Sequence, residues 1–339
     1  MDHEALGKEL IRALRGRRSQ VALSRRLKHR SNVLYAWEAG LRAPTAAGFL
    51  ELAKRVGIDI DEGIAVFLGG LPESVQGRSF ASREGVAALL THLGEGTTLV
   101  ELAARVGKNR VSVGRFLKGE AEPRLPDFLR LIDASSLRLL DFVALFAPPQ
   151  ELPAARGAWE RLEAQRRVAY LLPWSHAVLR VLELADYRKL SKHEHGFIAK
   201  RLGISEEEER ACLEALAESR LIVRRRGRYA VSSVLTVDTR RNPAAGRALK
   251  SHWARVAEER LPSLEPAGED LFSYNLFTVS EKDWERLREM HIAYFQELRR
   301  VIGASEPAER VALVNLQLLR LDESPRATNR LEKAELTSV

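Results

Sequence analysis

Arg30, Ser31 and Asn32, with Tyr35 one helical turn beyond Asn32, are side chains of the types that read bases in duplex DNA. Arg pairs bidentately with guanine, Asn and Gln with adenine, and Ser bonds either; a tyrosine ring suits a thymine methyl or a sugar. Cations surround this group. Arg17, Arg18, Lys28 and Arg42 are the expected phosphate partners, and Gln20, at a predicted helix start, is placed for a phosphate or a base edge. A similar combination returns at Lys108, Asn109, Arg110 and Arg115, in a stretch (105–118) whose five basic residues have no acid between them. The chemistry these residues predict is contact with double-stranded DNA.

The elements that must position them come as a pair. Residues 19–53 overlie 98–132 without a gap, at a constant offset of 79. Pro44 falls on Pro123, Gly40 on Gly119, Leu23 on Leu102, Phe49 on Phe128, Leu50 on Leu129, and Trp37 on Phe116. Similarity at a fixed offset signals a duplicated folding unit. Each copy reads as a short helix, a turn, a second short helix ending in an aromatic, then Gly, then Pro opening another helix, which is the layout of a helix-turn-helix. The copies are unequal. Leu99 stands for Gln20, Gly114 for Tyr35 and Leu117 for Glu38.

Composition sets the outer limits. The 339 residues are 45% hydrophobic and 29% charged, with 54 Lys and Arg against 46 Asp and Glu, a net charge of +8. That balance permits a polyanionic partner. The excess is concentrated at the start, where residues 1–56 carry twelve basic side chains and five acidic ones. One cysteine, Cys212, excludes an internal disulfide and a multi-cysteine zinc site. The opening Met1-Asp2-His3-Glu4-Ala5 lacks the charged-then-apolar pattern of a signal peptide, and no apolar run approaches the length of a membrane span, so a cytoplasmic, non-membrane location is expected.

The fold expected is mainly α: tandem helix-turn-helix bundles, a winged-helix-like domain and a small C-terminal α+β domain. Helical periodicity predicts helices over 4–15, 19–27, 31–38, 45–56 and 60–68, giving a first domain at 1–70. A linker rich in turn residues leads to a second at 80–148, and a connecting helix fills 149–172. Residues 173–238 read as three helices closed by a hairpin with Gly227 at its tip and Arg224, Arg225, Arg226 and Arg228 along it. Its third helix opens with a Ser205/Glu208 capping box and four acids, Glu206 to Glu209, which would repel phosphate. Residues 239–323 alternate helix and strand, with strands expected at Leu271–Val279 and from Arg310 to Leu321, and 324–339 read as a frayed tail.

The first copy resembles the Xre/Cro, lambda-repressor-like family through Ser19-Gln20, the Leu23 and Leu27 core, and Trp37-Glu38-Ala39-Gly40 followed by Arg42-Ala43-Pro44. The resemblance implies base-contacting positions at Arg30, Ser31, Asn32 and Ala36. Ala36 departs from the polar residue usual there, and Lys28-His29-Arg30 departs from a turn that usually contains Gly. Residues from about 97 to 322 also resemble an uncharacterised region fused to helix-turn-helix segments in myxobacterial-type bacterial regulators. That likeness is carried by Leu213, Leu216, Leu221-Ile222, His252, Ala257, Phe272, Ser280 and the run Val314-Asn315-Leu316-Gln317-Leu318. It implies a regulator and no particular ligand.

Enzyme chemistry has little to stand on: there is no phosphate loop, nucleophile elbow or His-Glu-x-x-His. His193 and His195, with His176, lack the spacing of a metal site, and Cys212 lies on an apolar helix stripe. No catalytic residue, metal or cofactor is therefore expected. The function expected is sequence-specific transcriptional regulation, by repression, from a homodimer whose C-terminal part dimerises or senses a small-molecule or protein effector. The competing expectation is a protein-interaction adaptor or antitoxin-like protein in which the repeats only pack.

Overall fold

A computed structural model of the chain describes residues 1–72, 74–232, 242–265 and 268–322. The chain forms two compact units, Met1–Leu249 with Pro307–Glu309, and Lys250–Glu306 with Arg310–Val339.

The first unit begins with two copies of a five-helix arrangement. In the first copy these are α1 (His3–Arg15), α2 (Gln20–Arg26), α3 (Val33–Glu38), α4 (Ala46–Val56) and α5 (Ile60–Leu68). The second holds α6 (Arg83–Leu93), α7 (Leu99–Val106), α8 (Arg110–Leu117), α9 (Leu125–Ser136) and α10 (Leu139–Val143). Short polar side chains start most of them by accepting the otherwise unpaired first-turn N–H groups: Asp2, Ser19, Asn32, Thr45 and Asp59 in one copy, Ser82, Thr98 and Asn109 in the other.

The two copies meet about an approximate two-fold axis. Thr45 and Arg124, equivalent residues at the 79-residue offset, face each other in an antiparallel bridge. The Ala46 N–H donates to the Pro123 carbonyl at 2.9 Å, and the Leu125 N–H donates to the Pro44 carbonyl at 2.9 Å. Each bond satisfies the first N–H of a helix, α4 or α9, with a carbonyl from the other copy. The helix contacts follow the same symmetry: α1 packs on α9 as α6 packs on α4, and α5 meets α10. A pairing in which i meets j and j meets i is an isologous interface, made here within one chain. One hydrophobic core runs through both copies, from Leu6 to Ala155. At its centre Phe49, Phe67, Phe128, Phe142 and Phe146 make edge-to-face pairs with ring centroids 4.9–5.6 Å apart. Each such ring contributes roughly 1.5–3 kcal/mol by burial, so this shared cluster welds the copies.

A long helix, α11 (Pro153–Leu171), follows and is tied to α10 by a buried ion pair, Arg166 Nη2 to Asp141 at 2.7 and 2.9 Å. Burial works against the Arg166 charge, but the hydrogen bonds it donates to Asp141 and Glu163 more than offset it and hold its pKa above the ordinary value. Next come α12 (Ser175–Glu183), α13 (Ala185–Lys189), α14 (Phe197–Leu202) and α15 (Glu206–Glu218). Strands β1 (Ile222–Arg225) and β2 (Arg228–Val231) pair antiparallel with Arg225 opposite Arg228. Their two-residue turn places Arg226 at φ 49° and Gly227 at φ 78°, the left-handed pair that a right-twisted hairpin requires. The single helix expected over 175–186 breaks at Leu184, whose extended backbone separates α12 from α13.

Helix α16 (Pro243–Arg260) carries the chain into the second unit, which also contains α17 (Glu281–Ala304), capped by Ser280. The α+β expectation for this region is corrected here. Among the described residues, 271–279 and 310–320 form no paired strand. Their apolar side chains are largely exposed, Leu271 at 93% and Tyr274 at 97%. The sequence alternation marks an apolar face, but a strand also needs a neighbour for its N–H and C=O groups, and the described residues of this unit supply none. The expected tail at 324–339, and the end of the hairpin domain at 233–238, lie outside the described residues.

Candidate nucleic-acid interface

In the first copy the recognition-type helix α3 is shorter than expected. It starts at Val33, so Arg30 and Ser31 belong to the preceding turn and Asn32 is the N-cap. The Asn32 Oδ1 accepts from the Tyr35 N–H at 3.3 Å and lies 3.3 Å from the Ser24 hydroxyl, which in turn accepts from the Leu34 N–H. The carbonyl oxygen of Asn32 is thus committed to the fold, and its exposed NH2 group is the part that a base can meet.

The turn before α3 is built on strain. Lys28 stands at φ 63°, where its equivalent Gly107 stands at φ 68°. A left-handed residue with a side chain costs roughly 1–2 kcal/mol, so the turn that lacks the expected Gly is made at Lys28 itself. Its neighbour His29 packs edge-on against Trp37, ring centroids 5.8 Å apart.

Beneath α3 lies a polar cluster that types and spacing did not single out. Glu38 occupies the buried face of the helix with Val33, Leu34 and Trp37, its side chain 7% exposed. Arg15 grips it with two donors, Nε to Oε1 at 2.6 Å and Nη2 to Oε2 at 3.2 Å; Gln20 Nε2 donates to Oε2 at 2.8 Å, and Arg12 Nη2 donates to the Glu38 carbonyl at 2.8 Å. The hydrogen bonds that Arg15 donates to Glu38 raise its pKa above the ordinary value. Gln20, expected at a phosphate or base edge, is here half-buried and holds Glu38, locking α2 to α3. The sequence signal was available: an acid in the apolar stripe of a short helix needs a buried cation partner.

Arg17, Arg18, Lys28, Arg30, Ser31, Asn32, Tyr35 and Arg42 are all exposed. Arg18 reaches the carbonyls of Arg15 and Val56 at 3.4 Å. Among the described residues Arg17, Lys28, Arg30 and Arg42 make no ion pair, so these cations remain available to an outside anion.

The second copy keeps the backbone and changes the chemistry. The side chain of Thr91, equivalent to Arg12, donates to the carbonyl of Leu117, equivalent to Glu38, at 3.0 Å, so this tie survives. The acid cluster does not: Gly94, Leu99 and Leu117 stand for Arg15, Gln20 and Glu38. Leu99 packs toward Gly114, 3.5 Å from where a Cβ would be. Asn109 caps α8, its Oδ1 accepting from the Ser112 N–H at 2.7 Å, so α8 starts two positions earlier than α3 relative to the offset. Lys108 is drawn to Asp127 at 3.0 Å, and Asp127 also holds Arg130 at 2.7 Å. Arg110 and Arg115 are exposed and make no ion pair among the described residues.

The acids opening α15 are employed internally. Glu208 completes the capping box with Ser205, Glu206 meets His195 at 3.0 Å, and buried Glu209 accepts the Ala199 N–H at 2.6 Å. His193 sits between Glu209 at 3.4 Å and the Tyr187 hydroxyl at 3.2 Å, with burial lowering its pKa. The two histidines therefore engage separate acids. Among the described residues no group of three or more His, Cys, Asp or Glu is placed to hold a metal ion, and no helix is long and apolar enough to cross a membrane. Burial, with the Glu208 charge, pushes the Cys212 thiol up to about 12, so it stays protonated at neutral pH.

Comparison with known families places one part of the chain. Residues 153–321, just under half its length, match a family described as a domain of unknown function, DUF4423. The match begins where α11 begins and lies outside both copies of the repeat. No curated protein and no solved structure matches the chain.

Proposed function

We propose that this protein is a sequence-specific DNA-binding transcriptional regulator, a repressor of the Xre/Cro type, that reads duplex DNA through the first helix-turn-helix. The observation that carries the reading is the exposed set Arg17, Lys28, Arg30, Asn32 and Arg42, held around a recognition helix that the Arg15–Glu38–Gln20 cluster locks in place. Phosphate contacts of this kind position a reader, and base-edge donors such as the Asn32 amide specify.

The second helix-turn-helix supports the first. Its two-fold relation to the first copy lets one chain present two readers of opposite orientation, a geometry suited to two half-sites. Because Tyr35 and Gln20 have no polar counterparts there, the half-sites it implies are unequal. The α14–α15–hairpin segment acts as a winged helix that packs more than it reads, since its helix opens with four acids. The exposed apolar segments of the second unit, including Leu271, Tyr274 and Leu276, support homodimerisation through that region in a cytoplasmic, bacterial regulator.

A salt titration of binding to genomic fragments tests the proposal. The affinity should fall steeply with salt, and Arg30→Ala should weaken binding and flatten that slope by about one unit. No binding to any fragment at low salt would overturn it and favour the adaptor reading.

A further inference from the structure

The hairpin that closes the first unit does more than cap a helical layer. Beside it lies a cavity of about 560 Å³ between the ends of α12 and α13 and the β2 strand, within the size range of small-molecule sites. Its floor is apolar and aromatic, from Leu182, Ala230 and Val231 with Tyr187 and Tyr229. Its rim carries four guanidinium groups: Arg188 from α13, Arg225 from β1, Arg226 from the turn and Arg228 from β2.

Among the described residues none of these four arginines makes an ion pair. Among the described residues lining the cavity the one acid, Glu183, is already held by Arg180 at 2.6 Å. Four like charges brought around one concavity repel each other, and among the described residues no acid pairs with any of them. Guanidinium groups match phosphate oxygens with paired donors, and Arg225 faces Arg228 directly across the β-ladder, so two forks converge from neighbouring strands. The fourth hairpin arginine marks the contrast. Arg224 lies 5.9 Å over the Tyr229 ring and contributes nothing to the cavity wall.

We infer that this cavity is a binding site for a small phosphorylated molecule carrying at least two negative charges, its phosphates on the arginines and its less polar body against Leu182, Tyr187 and Ala230. A concave site suits a ligand that enters it, whereas a DNA backbone is a convex rod that meets projecting cations. The inference concerns ligand binding alone and stands whether or not the repeats bind DNA.

Calorimetric titration of the full chain with ADP, and separately with inorganic pyrophosphate, tests it. One saturable site per chain is expected for ADP. The Arg225→Ala/Arg228→Ala variant should bind at least tenfold more weakly, and Arg224→Ala should bind within twofold of the parent. An unchanged thermal midpoint for the double variant, whose arginines support no ion pair, shows that the loss is local; if the midpoint falls, Arg188→Ala, on a separate element, takes its place in the comparison. Absence of saturable binding by both probes overturns the proposal, as does equal loss in Arg224→Ala. So does a double variant that loses duplex-DNA affinity while the parent binds neither probe, which assigns the rim to the nucleic-acid backbone.

Discussion

Thr45 and Arg124 lie opposite each other in an antiparallel bridge, and their separation of 79 positions is the offset that relates the two copies of the repeat. On either side of this pair Pro44 and Pro123 each accept the first N–H of the other copy's helix. Proline cannot donate to a ladder, so both ring nitrogens fall where no donor is needed and both carbonyls where an acceptor is. A duplicated sequence has become an internal dimer, and its two copies are fixed relative to each other by the Phe-rich core that both share.

The strain at Lys28 predicts a stabilising substitution. Lys28→Gly relieves a left-handed side chain at φ 63° and should raise unfolding stability by about 1 kcal/mol, while Gly107→Ala should lower it by a similar amount. Denaturant midpoints measured in parallel check both signs. A loss of stability in Lys28→Gly would show that its side chain, and not its backbone, governs the turn.

Glu38 should be among the costliest polar residues to remove. Glu38→Ala leaves the Arg15 and Gln20 donors without their acceptor in a half-buried site, a loss of about 3 kcal/mol. The second copy has no such cluster: Leu117 packs against the hydrophobic core instead, and Leu99 lies near Gly114. Leu117→Ala should therefore destabilise by lost packing, without the salt dependence expected of Glu38→Ala. Chemical denaturation at two ionic strengths separates the two.

Acid sensitivity follows from His176. Burial, helped by the nearby Arg180 charge, lowers its pKa to about 4, and its Nε2 is buried without a hydrogen-bond partner. The unfolded chain binds this proton below about pH 6.5 and the folded chain does not until about pH 4. Stability from this group is full above pH 6.5, declines as the pH falls, and is lost by about pH 4, by up to roughly 3 kcal/mol. His193 titrates in the same direction. His176→Phe should flatten the dependence of unfolding free energy on pH between 6.5 and 4. An unchanged slope would assign the sensitivity elsewhere.

The repeat was legible in the sequence because a constant offset needs no knowledge of packing: Leu23/Leu102, Phe49/Phe128 and Pro44/Pro123 identify the unit before any helix is drawn. Local chemistry was legible too, since Ser19 and Ser205 cap the helices they were expected to start. What was not legible is whatever depends on a second surface. The alignment of Pro44 with Pro123 contains no information that these residues would touch. Gln20 has the side chain of a DNA contact, and only the burial of Glu38 beside it shows that its amide is already used. Likewise the alternation over 271–279 records an apolar face, while strand pairing needs a partner that the pattern cannot name.

Asn32 caps a helix and, in the proposed function, also meets a base, and a single substitution separates the two roles. Its Oδ1 caps α3, so Asn32→Ala should cost about 1 kcal/mol of stability whatever else it does. Asn32→Asp retains an acceptor at the same place and caps equally well, and its charge is favourable at a helix N-terminus. The thermal midpoint of Asn32→Asp should therefore match or slightly exceed that of the parent. Its DNA affinity should fall at least tenfold, because the substitution removes the NH2 donors and sets a negative charge against the bases. The pair of measurements is decisive where either alone is not. If Asn32→Asp keeps both its midpoint and its sequence preference, then Asn32 serves the fold alone, and base reading in the first copy must come from the turn residues Arg30 and Ser31.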